Sequence, residues 1–290
     1  MEILDFITVT ICGFGIGILS GMFGIGGGGL IVPLLHMAFG LPMLAATSTS
    51  LLTIAPTGIS GSIKHLRQKT ASLKEGLVMG GFGAIASVIS SSFAGDLPEY
   101  SVVLITVAVI LFSTGMMVRT MRKDKELEKT EAAAADKRDS ADLTEASIES
   151  QGEAPLQESK TTPPGRGGLV QWLPRMVIGL IAGGIAGIAG VGGGFIIVPF
   201  CVAYMGFSLK QAAGTSLISI ALIAIPGIIT HAALGHIWWL YGLAIMIGTI
   251  PGALVGAELI NKLPERPSRY AFLVFLTTIG LMMLVQEFLL

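Results

Sequence analysis

Apolar runs separated by short polar breaks fill the chain, except for one long polar stretch near its middle. The runs cover about residues 5–23, 29–40, 43–63, 74–95 and 100–119, then about 172–189, 195–206, 209–232, 237–260 and 268–289. Most have the roughly 20 residues that a helix needs to cross about 30 Å of hydrocarbon. The second run of each set has only about a dozen residues, too few for a straight crossing. Each of these short runs directly follows a cluster of glycines, so runs one and two predict a broken or re-entrant helical pair. Non-helical backbone at that depth must face protein or a wet cavity.

The two sets are copies. Residues 17 to 98 lie over residues 183 to 264 at a constant offset of 166, and roughly 24 of the 82 aligned positions are identical. Gly24-Ile25-Gly26-Gly27-Gly28, followed by Pro33, returns as Gly190-Val191-Gly192-Gly193-Gly194, followed by Pro199. Gly40/Gly206, Thr49/Thr215, Ser50/Ser216, His65/His231 and Pro98/Pro264 are further matched pairs. Repeated membrane halves interrupted by glycine at corresponding points indicate a transporter with its site between them.

Composition makes the membrane assignment firm. Of 290 residues, 52% are hydrophobic and 13% charged, where a soluble domain carries about 25% charged. Nearly half of the charged residues fall between Arg122 and Lys160. The expected architecture is an all-α polytopic membrane protein of two inverted repeats, residues 1–119 and 169–290, with about five helical segments each. Between them, residues 120–168 read as a polar, disordered linker with a frayed helix near 124–138. That linker is either a tether or a regulatory docking segment. The net charge of −1, with basic residues at membrane edges, speaks against nucleic acid as a partner. Cys12 and Cys201 are not repeat partners and read as small buried hydrophobes. Met1-Glu2-Ile3-Leu4-Asp5 lacks the basic start of a secretory leader, so none is expected.

Charge placement orients the segments in a cell membrane. Lys64, Arg67, Lys69 and Lys74 flank one loop, Arg119, Arg122 and Lys123 close the fifth run, and Arg166 and Arg175 precede or open the second half. Lys210, Lys262, Arg266 and Arg269 mark two more loops. Placing all of these inside satisfies the positive-inside rule. The basic loop at 64–74 then faces in, while its repeat counterpart from His231 to His236 carries no Lys or Arg and faces out. The halves are thus expected to be inverted, the linker cytoplasmic and both termini exterior. Trp238 and Trp239 after the outer loop read as an aromatic belt.

The candidate chemistry lies at the glycine runs. Three consecutive glycines cost a helix about 1 kcal/mol each, so they break it. The next helix then starts with free N–H groups at the positive end of its dipole, an anion site without a basic side chain. Gly24, Gly26, Gly27 and Gly28, with Gly190, Gly192, Gly193 and Gly194, are the candidates; tight helix packing is the competing explanation, as it is for Gly17/Gly21 and Gly183/Gly187. No Lys-Ser or Lys-Thr follows, so this is no nucleotide loop. Thr49, Ser50, Thr215 and Ser216 either cap the third segments or line a neutral pocket where helix starts converge. Pro56 and Pro226 are expected to kink those segments. His36 and Glu258 are the candidates for proton coupling, each balanced by a structural reading: a satisfied core histidine and an interfacial carboxylate. His65 and His231 read as interfacial. Gly58-Ile59-Ser60-Gly61 matches the Gly-x-Ser-Gly of rhomboid-type proteases, with His231 as the imaginable base, but Ser60 aligns with Pro226 and the duplicated plan is foreign to rhomboids.

The double Gly-x-Gly-Gly-Gly run with its following Val-Pro, and Ala46-Thr47-Ser48 and Ala213-Gly214-Thr215-Ser216 downstream, resemble the sulfite exporter TauE/SafE family. The resemblance implies duplicated membrane bundles that move small sulfur-containing anions such as sulfite or organosulfonates. It implies no enzyme activity, no cofactor and no metal. It supplies the substrate class; the residues alone supply only an anion-compatible site. The chain departs from the plan in its long linker and at Gly29, which aligns with Phe195. A membrane scaffold acting through the linker is the alternative from another class.

Overall fold

The computed structural model describes residues 3–142 and 169–289. Its described regular structure is entirely helical: α1 (Ile3–Phe23), α2 (Gly28–Pro33), α3 (Met43–Arg67), α4 (Leu73–Phe93), α5 (Glu99–Asp142), α6 (Leu169–Ala189), α7 (Gly194–Met205), α8 (Leu209–Ala233), α9 (Trp239–Lys262) and α10 (Glu265–Leu289). α2 passes directly into a π-helical turn, Leu34–Ala38, so α2 and its extension form one short rod. The ten helices match the ten apolar runs, most ends falling within a turn of those expected. Seven of them are long and apolar enough to span a membrane.

Helix α5 departs from the expected boundary. It continues unbroken to Asp142, taking in the stretch 124–138 where a frayed helix is expected, instead of ending with the apolar run near Arg119. Glu131-Ala132-Ala133-Ala134-Ala135 consists of strong helix formers, so nothing local stops the helix at the membrane edge. Residues 143–168, the rest of the linker, lie outside the described residues.

α3 is long enough to cross but is not apolar enough to stand among the seven, because Thr, Ser and Pro interrupt it. It has no need to be: from Met43 to Ala55 nearly every residue is buried. Its counterpart α8 is equally enclosed. The two hydroxyl-bearing helices form the centre of the protein and pack on each other. Gly58 of α3 lies against Leu217 and Ala221 of α8, and Gly227 of α8 lies against Leu51 of α3. Rising numbers in one meet falling numbers in the other, so α3 and α8 run antiparallel.

Around this pair, the outer helices zip together through glycine. Gly13, Gly17 and Gly21 of α1 abut the backbone of Ile245, Thr249 and Ala253 of α9, so α1 and α9 run parallel. Gly179, Gly183 and Gly187 of α6 abut Met79, Gly83 and Ser87 of α4. Each contact of the second set is the first set displaced by 166. The packing reading of Gly17/Gly21 and Gly183/Gly187 is the one observed, since a side chain there would overlap the facing backbone.

The ion pairs between helices gather at one end of the bundle. Lys64 of α3 reaches Glu258 of α9 at 3.1 Å, Arg175 of α6 pairs with Glu75 of α4, and Arg269 of α10 meets Asp124 of α5 at 2.5 Å.

Candidate functional site

The glycine runs make the bends that their composition demands. Gly24, Gly26 and Gly27 have φ of 72°, 85° and 81°, and Gly190 and Gly192 have 62° and 72°. A Cβ is strained in that left-handed region. α1 and α6 therefore end, and α2 and α7 begin, within four or five residues. The bends lie deep in the bundle. Gly26 faces Ile54 and Ile220, the middles of α3 and α8, and Gly192 faces Ile54.

The two bends touch each other. A Cβ on Gly28 would stand 2.6 Å from the carbonyl carbon of Val191, and one on Gly194 would stand 2.6 Å from the carbonyl oxygen of Gly24. All the candidate glycines are buried. Where the bends cross, Gly29 leaves the space that the Phe195 ring fills, although these two residues are repeat partners. The non-equivalence of the two half-sites thus has a steric cause: two phenyl rings would not fit where partner positions meet.

The four hydroxyl candidates are all fully buried, and each has a partner. Ser50 donates to the carbonyl of Gly190 at 2.9 Å, and Ser216 donates to the carbonyl of Gly24 at 2.7 Å. Thr49 accepts from the amide of Trp238 at 3.1 Å, and Thr215 accepts from the amide of Ser72 at 3.0 Å. Both pairs obey the offset of 166. Serine therefore joins each central helix to the opposite bend, and threonine joins it to the entry of a long helix in the other repeat, α3 to α9 and α8 to α4. Neither pair serves as a cap at its own helix start: at α8 that role falls to Ser208, whose hydroxyl accepts from the Gln211 amide. A capping box was missed in the sequence although Ser208 and Gln211 have its spacing.

A void of about 10 Å³ lies beside Val191, Gly192, Gly193 and Phe195, about enough for one water and too small for an oxyanion. A larger hollow of about 210 Å³ opens one turn away, lined by Met43, Leu44, Thr47, Gly95 and Ile188 among others. Thr47 is also the residue whose backbone packs on Gly190.

The other candidates lie away from the bends. His36 is half-buried at the far end of the short rod, where its Nδ1 donates to the carbonyl of Leu41 at 2.7 Å. Glu258 is half-exposed and sits between Lys64 and Lys262, at 3.1 and 3.0 Å. His65 and His231 lie in the last turns of α3 and α8, and both side chains are fully buried in the protein. Nε2 of His65 donates to the carbonyl of Gly21 at 3.1 Å while its Nδ1 meets the Thr70 hydroxyl at 2.9 Å, so the ring satisfies the end of α1. Nδ1 of His231 lies 3.4 Å from Nδ1 of His236. Ser60 donates to Thr57 O at 2.9 Å. Its neighbour Gly58 lies against Ala221, ten residues or about 15 Å along α8 from His231, so no serine–histidine pair assembles.

Sequence reasoning also missed Thr57 and Thr249, which are buried and share a 2.7 Å hydrogen bond between α3 and α9. Thr57 aligns with Ile223 and Thr249 with Gly83, so no repeat signal marks them.

Comparison with known proteins agrees with this architecture. A family model described as "Sulfite exporter TauE/SafE" matches residues 9–283. The "Probable membrane transporter protein YdhB" of Bacillus subtilis is 24% identical, covering 93% of this chain and 97% of its own length. The "Probable membrane transporter protein YunE" of the same organism is 26% identical, covering 98% of each. A "Probable membrane transporter protein" of Haemophilus influenzae is 25% identical over 93% of this chain and 94% of its own. No solved structure matches.

Proposed function

Because this chain belongs to the sulfite exporter TauE/SafE family, whose members are membrane transporters and not enzymes, we propose that it is a secondary permease for a small anion, sulfite or an organosulfonate, working by alternating access between two inverted repeats. The observation that carries this reading is the reciprocal seam: Ser50 to Gly190 and Ser216 to Gly24, across two bends that touch at mid-bundle. Antiparallel packing of the equivalent helices α3 and α8 supports inversion, because a two-fold axis along the membrane normal would leave them parallel. The gathering of Lys64, Lys262, Arg175 and Arg269 at one end supports a cytoplasmic placement of that end and of the linker in a plasma or inner membrane. Both termini then lie outside.

The seam is the occluded state of the transporter. Parting the bends would free the hydroxyls of Ser50 and Ser216 and expose the first amides of α2 and α7, all of them donors. Such donors suit the oxygens of a sulfite or sulfonate and need no lysine. His36 and Glu258, the candidates for proton coupling, both lie outside the seam.

Flux of radiolabelled sulfite, sulfonates and thiosulfate into proteoliposomes, with and without a pH gradient, tests the proposal. Saturable uptake of at least one of these anions is expected. Deleting residues 143–168 should leave it largely intact, whereas a scaffold acting through the linker would lose its function. Absence of saturable flux for every small anion would end the reading.

A further inference from the structure

We propose that a groove between α5 and α7 binds one anionic phospholipid, head group at the ion-paired end of the bundle and acyl chain toward the membrane interior. The groove encloses about 420 Å³ and is lined on α5 by Phe112, Gly115, Met116, Arg119, Thr120 and Lys123. Tyr204 and Ala203 of α7 form its other wall.

Along α5 the lining changes character in one direction. Phe112 and Met116 come first, then Arg119 and Lys123, all on one stripe at spacings of three and four residues. From Phe112 to Lys123 the stripe is about 16 Å long, the reach of a phosphate plus the upper part of an acyl chain. Phe112, Arg119, Lys123 and Tyr204 are exposed. Gly115 keeps the middle open, since a Cβ there would meet nothing within 4 Å.

Arg119 and Lys123 have no hydrogen bond or ion pair among the described residues, whereas nearby Asp124 is already engaged by Arg269. Two cations a helical turn apart, above an apolar trough at the membrane edge, complement a phosphodiester with a fatty tail. A free oxyanion would gain from the cations but not from Phe112, Met116 and the Gly115 gap. The positive end of the bundle is also where the positive-inside rule places the leaflet whose anionic lipids attract such charges. The groove lies outside the glycine seam, so the proposal does not depend on which solute the seam carries.

The test is native mass spectrometry of the full chain released from mixed phosphatidylglycerol and phosphatidylcholine micelles. Wild type should retain one phosphatidylglycerol in preference to phosphatidylcholine. Arg119→Gln with Lys123→Gln should lower that preference by about fivefold for each charge removed. Gly115→Leu should lower retention of both lipids while leaving the charges in place. Thermal unfolding in phosphatidylcholine alone checks that both variants are folded. The proposal is overturned if wild type shows no lipid preference, if sulfite or glycerol phosphate displaces the retained lipid, or if the groove is filled by a second copy in a lipid-free dimer.

Discussion

Replacing Gly194 by alanine asks whether the two bends really close on each other. The new methyl would stand 2.6 Å from the carbonyl oxygen of Gly24 and from Cα of Ile25, where ordinary contacts lie at about 3.5 Å. The bends must then part by nearly an ångström, because the opposing atoms are backbone and have no rotamer to yield. Overpacking of this kind costs about 1–3 kcal/mol. Gly28→Ala meets Val191 at 2.6 Å and the carbonyl oxygen of Gly190 closer still, and should cost at least as much. Gly184→Ala is the control: it lies inside α6 with nothing within 4 Å of its Cβ, and the helix should gain up to about 1 kcal/mol. Thermal unfolding in one detergent should rank Gly184→Ala at or above wild type, and Gly194→Ala and Gly28→Ala together below it. Proteoliposome flux should fall in the latter two and not in the control. Equal stability of Gly194→Ala and Gly184→Ala would refute the contact between the bends, and with it the occluded seam.

Two further outcomes follow from the same geometry. Ser50→Ala and Ser216→Ala each strand a buried glycine carbonyl, so each should cost about 1–3 kcal/mol in chemical denaturation; a large difference between them would contradict their equivalence. Glu258→Gln should leave the pH profile of flux unchanged, because that carboxylate is spent on Lys64 and Lys262 at the surface; a displaced profile would restore it as a coupling group.

Much of the fold was legible because periodicity and repetition are read directly from residues. Apolar run length marked the helices, and the offset of 166 paired them before any contact was known. The bends were legible because three consecutive glycines cost a helix more than close packing requires. What stayed hidden depended on partners. Nothing in the surroundings of His65 along the chain says that it will reach the carbonyl of Gly21, 44 positions earlier. The serines were legible as a set, but their acceptors were not, since Ser50 and Gly190 lie in different repeats. α5 outran its expected end because a membrane boundary limits where a helix is apolar, not where it is helical.

The packing also says which bodies must move. The sequence halves cannot rock as units, because α1 is zipped to α9 and α4 to α6 through backbone contacts that cross between halves. The contacts sort six of the long helices differently, into α1, α3 and α9 on one side and α6, α8 and α4 on the other, with α5 and α10 packed on each other outside these groups. These two groups are exact repeat counterparts, and each carries one bend. Their main interface is the antiparallel α3–α8 pair, so the proposed alternating access predicts sliding or tilting there. A disulfide inside one group should then be harmless, and one across the interface should stop transport. In a background with Cys12 and Cys201 replaced, Thr57→Cys with Thr249→Cys would link α3 to α9, whose hydroxyls are already 2.7 Å apart. Gly58→Cys with Ala221→Cys would link α3 to α8, where the Cβ atoms would be 3.2 Å apart, close to disulfide geometry. Oxidation should leave flux in the first variant and abolish it reversibly in the second. Retained flux through the oxidised α3–α8 link would show that access opens without motion at this interface.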